Sequence, residues 1–163
     1  MASGDTLLTF TVLANQPPAS NYATLDTRNS HPVLDFDPST DETAVFGDVL
    51  PRHYAGNGIT VTVVWMATTG TTGNVIWQGS FERDDTGLDL DADSFATAQS
   101  VTTAAPGTNG APAYSAIAFT NAQIDSLAAG EAFRLKITRN ASSGSDTMTG
   151  SDAELLRVEI KET

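Results

Sequence analysis

The stretch that decides the fold is Gly56-Asn57-Gly58-Ile59-Thr60-Val61-Thr62-Val63-Val64-Trp65-Met66. Side chains alternate between the two faces of a β-strand, so the odd-numbered residues from Ile59 to Trp65 form one apolar face. Thr60 and Thr62 fall on the opposite face. Asn57-Gly58, directly before the strand, is predicted to supply the φ > 0 positions of a tight hairpin turn. The stretch therefore predicts a β-strand with one buried face.

The same alternation recurs along the chain in short segments separated by Gly, Asn, Asp, Pro and Thr. Residues 75–83 are predicted to return as the partner of the opening strand, because their apolar and polar residues also alternate. The other predicted strands are residues 6–14, 23–26, 32–37, 43–50, 95–101, 114–119, 131–138 and 154–161. These short strands predict an all-β fold, an antiparallel, jelly-roll-like β-sandwich.

One segment has the signals of a short helix. Thr120 followed by Gln123 fits a capping box, and Gly130 stands where a left-handed residue ends a helix. The sandwich is therefore predicted to carry one helix at about residues 121–129.

The composition is that of a folded, acidic chain. Of the 163 residues, 40% are hydrophobic and 17% are charged, a balance that favours folding over disorder. The length suits a single β-sandwich domain over residues 1–163, in which residues 1–22 are predicted to form an extended N-terminal arm. The sequence shows no secretory signal and no apolar run long enough for a membrane span, so folding in a cytoplasm is expected.

Charge and cysteine content exclude several classes of function. A net charge of −12 with only eight Lys and Arg argues against binding nucleic acid or an anionic membrane surface. Cysteine is absent, which excludes disulfides, thiol catalysis and thiolate metal sites.

The acidic segment Asp84–Asp93 suggests calcium, because hard cations bind several converging carboxylate oxygens. The match to an EF-hand loop fails, since counting from Asp89 the required Gly and Glu are Ser94 and Ser100. The pattern favours an edge strand that directs its leucines inward and its aspartates to water. Calcium binding stays as the minor alternative.

No catalytic, cofactor-binding or metal-ligating residue is assigned. His31 and His53 lack metal-ligand spacing and are expected to be surface or hydrogen-bonded residues. No GxSxG nucleophile motif occurs, and Asn140-Ala141-Ser142 is expected to be a loop rather than a glycosylation site. Carboxylate pairs for glycoside hydrolysis are available in any acidic sandwich, so a glycan hydrolase is the last-ranked alternative. The prediction is a protein that is not an enzyme and needs no cofactor.

Aromatic residues are the remaining candidates for a ligand surface. Trp65 and Trp77 would suit a sugar-stacking platform, but each falls on the apolar face of its strand, which favours packing in the core. Tyr22, Tyr54 and Tyr114 lie at loops or strand starts and are the better candidates for exposed aromatic contacts.

Several segments together resemble a family of small acidic proteins that tailed bacteriophages and prophages encode among their virion structural genes. The segments are Ala23–Asn29, Pro32–Asp37, Val49–Pro51, Trp77–Gln78, Phe81–Arg83, Asp91–Ala96, Leu127–Leu135 and Ala153–Ile160. The resemblance covers most of the chain from Ala23 onward. It implies a virion component most like the jelly-roll cement, or decoration, proteins that clamp neighbouring capsid subunits.

The resemblance also implies partners and a location. We expect a capsid-surface protein, assembled in the host cytoplasm, that contacts the major capsid protein and its own copies as a homotrimer or homodimer. Strand edges and the arm of residues 1–22 would make these contacts by β-augmentation. The alternative is a sugar- or receptor-binding module of a head fibre or tail, for which exposed aromatic residues in a groove are expected.

Overall fold

The computed structural model describes residues 4–163, which form ten β-strands and two short 3-10 helices. The strands are β1 (Thr6–Thr11), β2 (Thr24–Arg28), β3 (His31–Phe36), β4 (Glu42–Val49), β5 (Ile59–Ala67), β6 (Asn74–Asp84), β7 (Gln99–Ala104), β8 (Ala113–Phe119), β9 (Ala132–Arg139) and β10 (Ala153–Glu162). The 3-10 helices are Val12–Ala14 and Asn121–Ile124.

The strands form two antiparallel sheets that pack face to face. The first sheet has the order β2-β3-β10-β5-β8, and the second has the order β4-β9-β6-β7. Two strands pair with the same edge of β10: β3 pairs with residues 153–155, and β1 pairs with residues 157–161. The predicted all-β, antiparallel, jelly-roll-like sandwich is confirmed.

The core lies between the inward faces of the two sheets, and both tryptophans are fully buried in it. The ring centroids of Trp65 on β5 and Trp77 on β6 are 5.9 Å apart in an edge-on arrangement. The predicted pairing of these two strands is wrong, since β5 pairs with β10 and β8 while β6 pairs with β9 and β7. Each strand has an apolar face to bury, and facing across the core buries both faces at once.

The connection before β5 is not a hairpin, because it links β4 in the second sheet to β5 in the first. The left-handed residue is Gly56 (φ +89°), so the prediction that Asn57-Gly58 supplies φ > 0 is wrong. Gly58 serves a different need. A Cβ atom at this position would lie 2.5 Å from the carbonyl oxygen of Phe119 on β8.

The predicted helix is shorter than expected. Gln123 accepts a hydrogen bond from the backbone N–H of Thr120 at 2.8 Å, as the capping box predicts. The turn ends after Ile124, because Asp125 and Ser126 are both left-handed (φ 61° and 54°). No helix of residues 4–163 is long and apolar enough to cross a membrane.

The N-terminal segment lies within the fold over most of its described length. β1 pairs with β10, and the backbone N–H of Gln16 donates to the carbonyl oxygen of Val45 at 2.7 Å. The arm predicted for residues 1–22 therefore does not extend away from the sandwich between β1 and Gln16. Residues 1–3 of that prediction lie outside the described residues.

Candidate functional site

Polar side chains cover the outward face of the second sheet. The alternation that buries the apolar residues of β4, β6 and β9 directs the intervening residues away from the core. Cross-strand pairing arranges these outward residues in three rows, Thr43–Thr138–Gln78, Val45–Lys136–Ser80 and Gly47–Arg134–Glu82. This face is the floor of a groove.

Two loop segments wall the groove. On one side the chain before β2 is fixed to β4, because Asn15 Oδ1 accepts a hydrogen bond from the N–H of Val45 at 2.9 Å. On the other side the segment 95–98 folds over β6 and β9, where the N–H of Ala96 donates to the carbonyl oxygen of Phe81 at 2.7 Å. The groove has a volume of about 580 Å³, within the usual range for small-molecule sites.

The groove contains polar groups without protein partners. The side chains of Gln78 and Ser80 make no hydrogen bond to any residue between 4 and 163, although Ser80 is only 2% exposed. At the neighbouring row, by contrast, the hydroxyls of Thr43 and Thr138 hydrogen-bond to each other at 3.1 Å. Polar groups shielded from water normally have a partner, so the hydroxyl of Ser80 and the half-buried amide of Gln78 are available to a ligand or to water.

Two cations lie at one end of the groove against an aromatic ring. The guanidinium carbon of Arg134 is 5.1 Å from the ring centroid of Phe95, and the ammonium of Lys136 is 4.5 Å from it. Arg134 also pairs with the buried carboxylate of Glu82. Lys136 has no carboxylate within ion-pair distance among the described residues.

The acidic segment Asp84–Asp93 is mostly a loop, so its prediction as an edge strand is wrong beyond residue 84. Leu88 and Leu90 are exposed instead of pointing inward. Asp85 and Asp89 accept hydrogen bonds from nearby backbone N–H groups, which is typical of aspartates in turns. Within residues 4–163, no group of three or more His, Asp or Glu side chains is arranged to hold a metal ion.

The other residues considered from the sequence lie apart from the groove floor. His31 and His53 are both exposed, at the start of β3 and in the turn after β4. Tyr114, on β8 of the first sheet, is 71% exposed, and Tyr22 is about half exposed beside one wall. Tyr54 is buried, and its hydroxyl donates to a backbone carbonyl, so its predicted exposure is wrong.

A second polar cavity, of about 180 Å³, lies where β3, β4 and β10 approach one another. Four carboxylates line it, those of Asp35, Asp37, Glu42 and Asp152. Burial raises the pKa values of Glu42 and Asp152, whereas hydrogen bonds from Ser39 lower the pKa of Asp37. Burial, and then the adjacent Glu154 carboxylate, raise the pKa of Asp35 to about 6.

We expect the free energy of unfolding to be higher at about pH 5 than at about pH 7.5. Asp35→Asn should reduce this difference by about 1 kcal/mol, and the effect stays this small because Asp35 is partly exposed to solvent. The pKa of Asp35 is raised from 3.8 when unfolded to about 6 when folded. The folded state therefore binds more protons in this window, and stability falls as pH rises through it. Urea denaturation at both pH values measures the effect. Asp91→Asn, in the exposed loop, is the control, and an unchanged pH dependence in Asp35→Asn would contradict the assignment.

No protein-family model matches the chain, and no curated protein is detectably similar to it. Solved structures share its fold at low sequence identity. The CBM22-1 xylan-binding domain of Xyn10C from Paenibacillus barcinonensis is 8% identical with a TM-score of 0.55, over 99% of this chain and 97% of that one. The CBM36-1 domain of a xylanase from the hindgut metagenome of Trinervitermes trinervoides is 7% identical with a TM-score of 0.51, over 96% and 97%.

The mosquito-larvicidal Cry4Aa toxin of Bacillus thuringiensis is also similar, with 8% identity and a TM-score of 0.58, over 95% of this chain and 23% of the toxin. At such identities these structures establish the fold alone. They support the sequence resemblance to phage virion proteins only at the level of a jelly-roll β-sandwich.

The groove could not be predicted from the sequence, because nothing in the sequence distinguishes its residues from ordinary solvent-facing residues. Alternation placed Gln78, Ser80 and Lys136 on the outward faces of their strands, which is where they lie. Phe95 was predicted to begin a strand, but the strand begins at Gln99 and Phe95 belongs to the covering loop. Recognising the groove requires knowing that this loop folds back over the sheet.

Proposed function

We propose that this protein is a non-enzymatic glycan-binding module whose ligand lies in the groove on the outward face of the second sheet. The observation that carries the proposal is the set of unpartnered polar groups, above all Gln78 and Ser80, on the floor of a walled groove of about 580 Å³. Sugar hydroxyls both donate and accept hydrogen bonds, and an amide and a hydroxyl match them in both respects.

The jelly-roll sandwich supports this proposal as a scaffold. Carbohydrate-binding modules are among the proteins that share this fold, although likeness of fold alone does not assign a ligand. The burial of both tryptophans removes the stacking platform considered from the sequence. Affinity must therefore come from the polar floor, with Phe95 as the aromatic contact in the groove.

Gln78→Ala should weaken glycan binding about tenfold, since it removes an amide whose hydrogen-bonding groups are free for the ligand. The measurement is an NMR titration of the labelled protein with neutral, carboxylated and sulfated oligosaccharides, followed through backbone and side-chain amide shifts. Tyr114→Ala is the matched control, because Tyr114 is an exposed aromatic residue on the opposite sheet. Equal loss in both variants, or shifts confined to β8, would place the site outside the groove.

A second candidate function is that of a capsid cement protein, as the resemblance implies. The observation that favours it is an apolar patch formed by Leu13, Tyr22 and Leu25, all exposed, beside β2. Among residues 4–163, β2 pairs only with β3, so its other edge is open to a strand from a capsid subunit. Such a patch suits contact with protein rather than with sugar.

Purified virions assembled in cells that express the chain test this second function. The protein should be present in stoichiometric amounts on the capsid, and Leu25→Asp should abolish its incorporation. Intact incorporation of Leu25→Asp, or absence of the protein from the particles, contradicts a cement role through this patch.

A further inference from the structure

The groove floor contains two cationic side chains, although the chain as a whole is strongly acidic. The protein has eight Lys and Arg against twenty Asp and Glu, yet Arg134 and Lys136 lie on neighbouring rows of the groove floor. Arg134 is neutralised by Glu82, but Lys136 lacks a carboxylate partner among residues 4–163. The Lys136 ammonium lies 4.5 Å from the ring centroid of Phe95, and both residues line the groove.

The neighbour of Lys136 across the strands is Ser80, with its unpartnered hydroxyl. Residues directly opposite each other across two strands lie close together, so the Lys136 ammonium and the Ser80 hydroxyl can both donate to one oxyanion, and a charged hydrogen bond is stronger than a neutral one. A neutral sugar would leave the Lys136 charge partly desolvated without an opposite charge, which is unfavourable. The pair therefore favours a ligand that carries a negative group.

We propose that the groove selects glycans bearing an anionic group, a carboxylate or a sulfate, and that Lys136 with Ser80 binds that group. This inference rests on the proposed function and names its ligand class. Carboxylates and sulfates present the same chemistry here, oxygen atoms that accept hydrogen bonds from an ammonium and a hydroxyl.

The groove is polarised along its length. Asp41 lines the end beside Thr43, where its carboxylate accepts hydrogen bonds from the backbone and hydroxyl of Ser142 at 2.8 and 2.9 Å. The cations occupy the other rows, toward Arg134. An acidic sugar unit is therefore attracted at the Lys136 end and repelled at the Asp41 end, which fixes the direction of the bound chain.

The test compares oligomers of galacturonic acid, sulfated galactan oligosaccharides and neutral xylo-oligosaccharides of equal length, by calorimetry with wild type and Lys136→Met. Lys136→Met should weaken binding of at least one acidic ligand about tenfold and so reduce the preference of the groove for acidic over neutral ligands. Lys161→Met, on β10 of the other sheet, is the control with the same loss of charge. Amide NMR spectra of both variants verify that they fold.

The possible outcomes distinguish selectivity for anionic glycans from glycan binding itself. A preference for the uronate oligomer or for the sulfated oligomer identifies the anionic group, and either result supports the inference. Neutral ligands that bind in the groove as tightly as acidic ones overturn the selectivity but retain the glycan-binding function. If Lys161→Met weakens acidic binding as much as Lys136→Met does, general charge is responsible and the assignment of Lys136 fails. If no glycan shifts the groove amides, both proposals fall.

Discussion

Arg139→Met should lower the free energy of unfolding by about 4 kcal/mol, because it leaves a buried charge without its partner. Arg139 is fully buried at the end of β9. Its guanidinium donates two hydrogen bonds to the carboxylate of Asp146, at 2.9 and 3.1 Å. Asp146 is itself buried and also accepts a hydrogen bond from the N–H of Ile76.

The same guanidinium connects parts of the chain that are distant in sequence. It donates to the carbonyl oxygens of Phe36 at 3.2 Å, Met148 at 2.8 Å and Ser151 at 3.0 Å, so all five of its N–H groups have partners. Phe36 belongs to the first sheet and Arg139 to the second. The residue therefore fixes the two sheets and the loop before β10 together, and its removal orphans three carbonyl groups in addition to the carboxylate.

Urea denaturation of single and double variants measures this interaction. Arg139→Met with Asp146→Leu should lose less stability than the sum of the two single changes, since the double variant leaves no unpaired charge. Arg157→Met, at an exposed arginine of β10, is the control and should change stability by less than about 0.5 kcal/mol. Additive losses, or a loss below about 1 kcal/mol in Arg139→Met, would contradict a stabilising role for the pair.

The burial of Arg139 could not be predicted from the alternation of apolar and polar residues along its strand. Phe133, Leu135 and Ile137 were correctly placed inward on β9, and Arg139 continues the same period of two. The predicted strand ended at Thr138, one residue before this arginine. The partner that makes its burial possible is seven residues away in an irregular loop, where no periodicity indicates a contact.

Strand pairing was predicted less well than strand identity, for a related reason. Alternation is a property of one strand, whereas pairing depends on which edges meet. β5 and β6 are neighbours in sequence and both have apolar faces, so pairing them was the simplest prediction. Their connection instead crosses from one sheet to the other, and the candidate groove forms on the outward face of the sheet that contains β6.

The groove is held by the sandwich through β6, because one face of this strand packs in the core and the other forms part of the groove floor. Trp77 and Phe81 face the core, while Gln78 and Ser80 face the groove. Packing of the tryptophan thus fixes the strand that presents the unpartnered amide. A ligand-binding floor built on a central strand is held more rigidly than one built on loops, which reduces the ordering needed on binding.

Trp77→Ala should therefore destabilise the protein by about 4 kcal/mol, the usual cost of removing a large buried side chain. The Trp77 ring contacts Phe36 edge-on with centroids 5.0 Å apart, and it contacts Trp65 in the same manner at 5.9 Å. Its truncation leaves a cavity between the sheets. Urea denaturation measures the loss, and the groove amides should broaden in NMR spectra as β6 loosens.

The two indole N–H groups allow a sharper comparison with phenylalanine. The indole of Trp65 donates to the hydroxyl of Ser115 at 2.8 Å, whereas the buried indole N–H of Trp77 has no partner among the described residues. Trp65→Phe leaves the Ser115 hydroxyl unsatisfied in the core, at a cost of about 1–3 kcal/mol. Trp77→Phe removes an unsatisfied donor along with some volume, so its loss should be the smaller of the two. If Trp77→Phe proves more costly than Trp65→Phe, shape complementarity at Trp77 outweighs the unsatisfied donor, and the ranking proposed for the two positions is wrong.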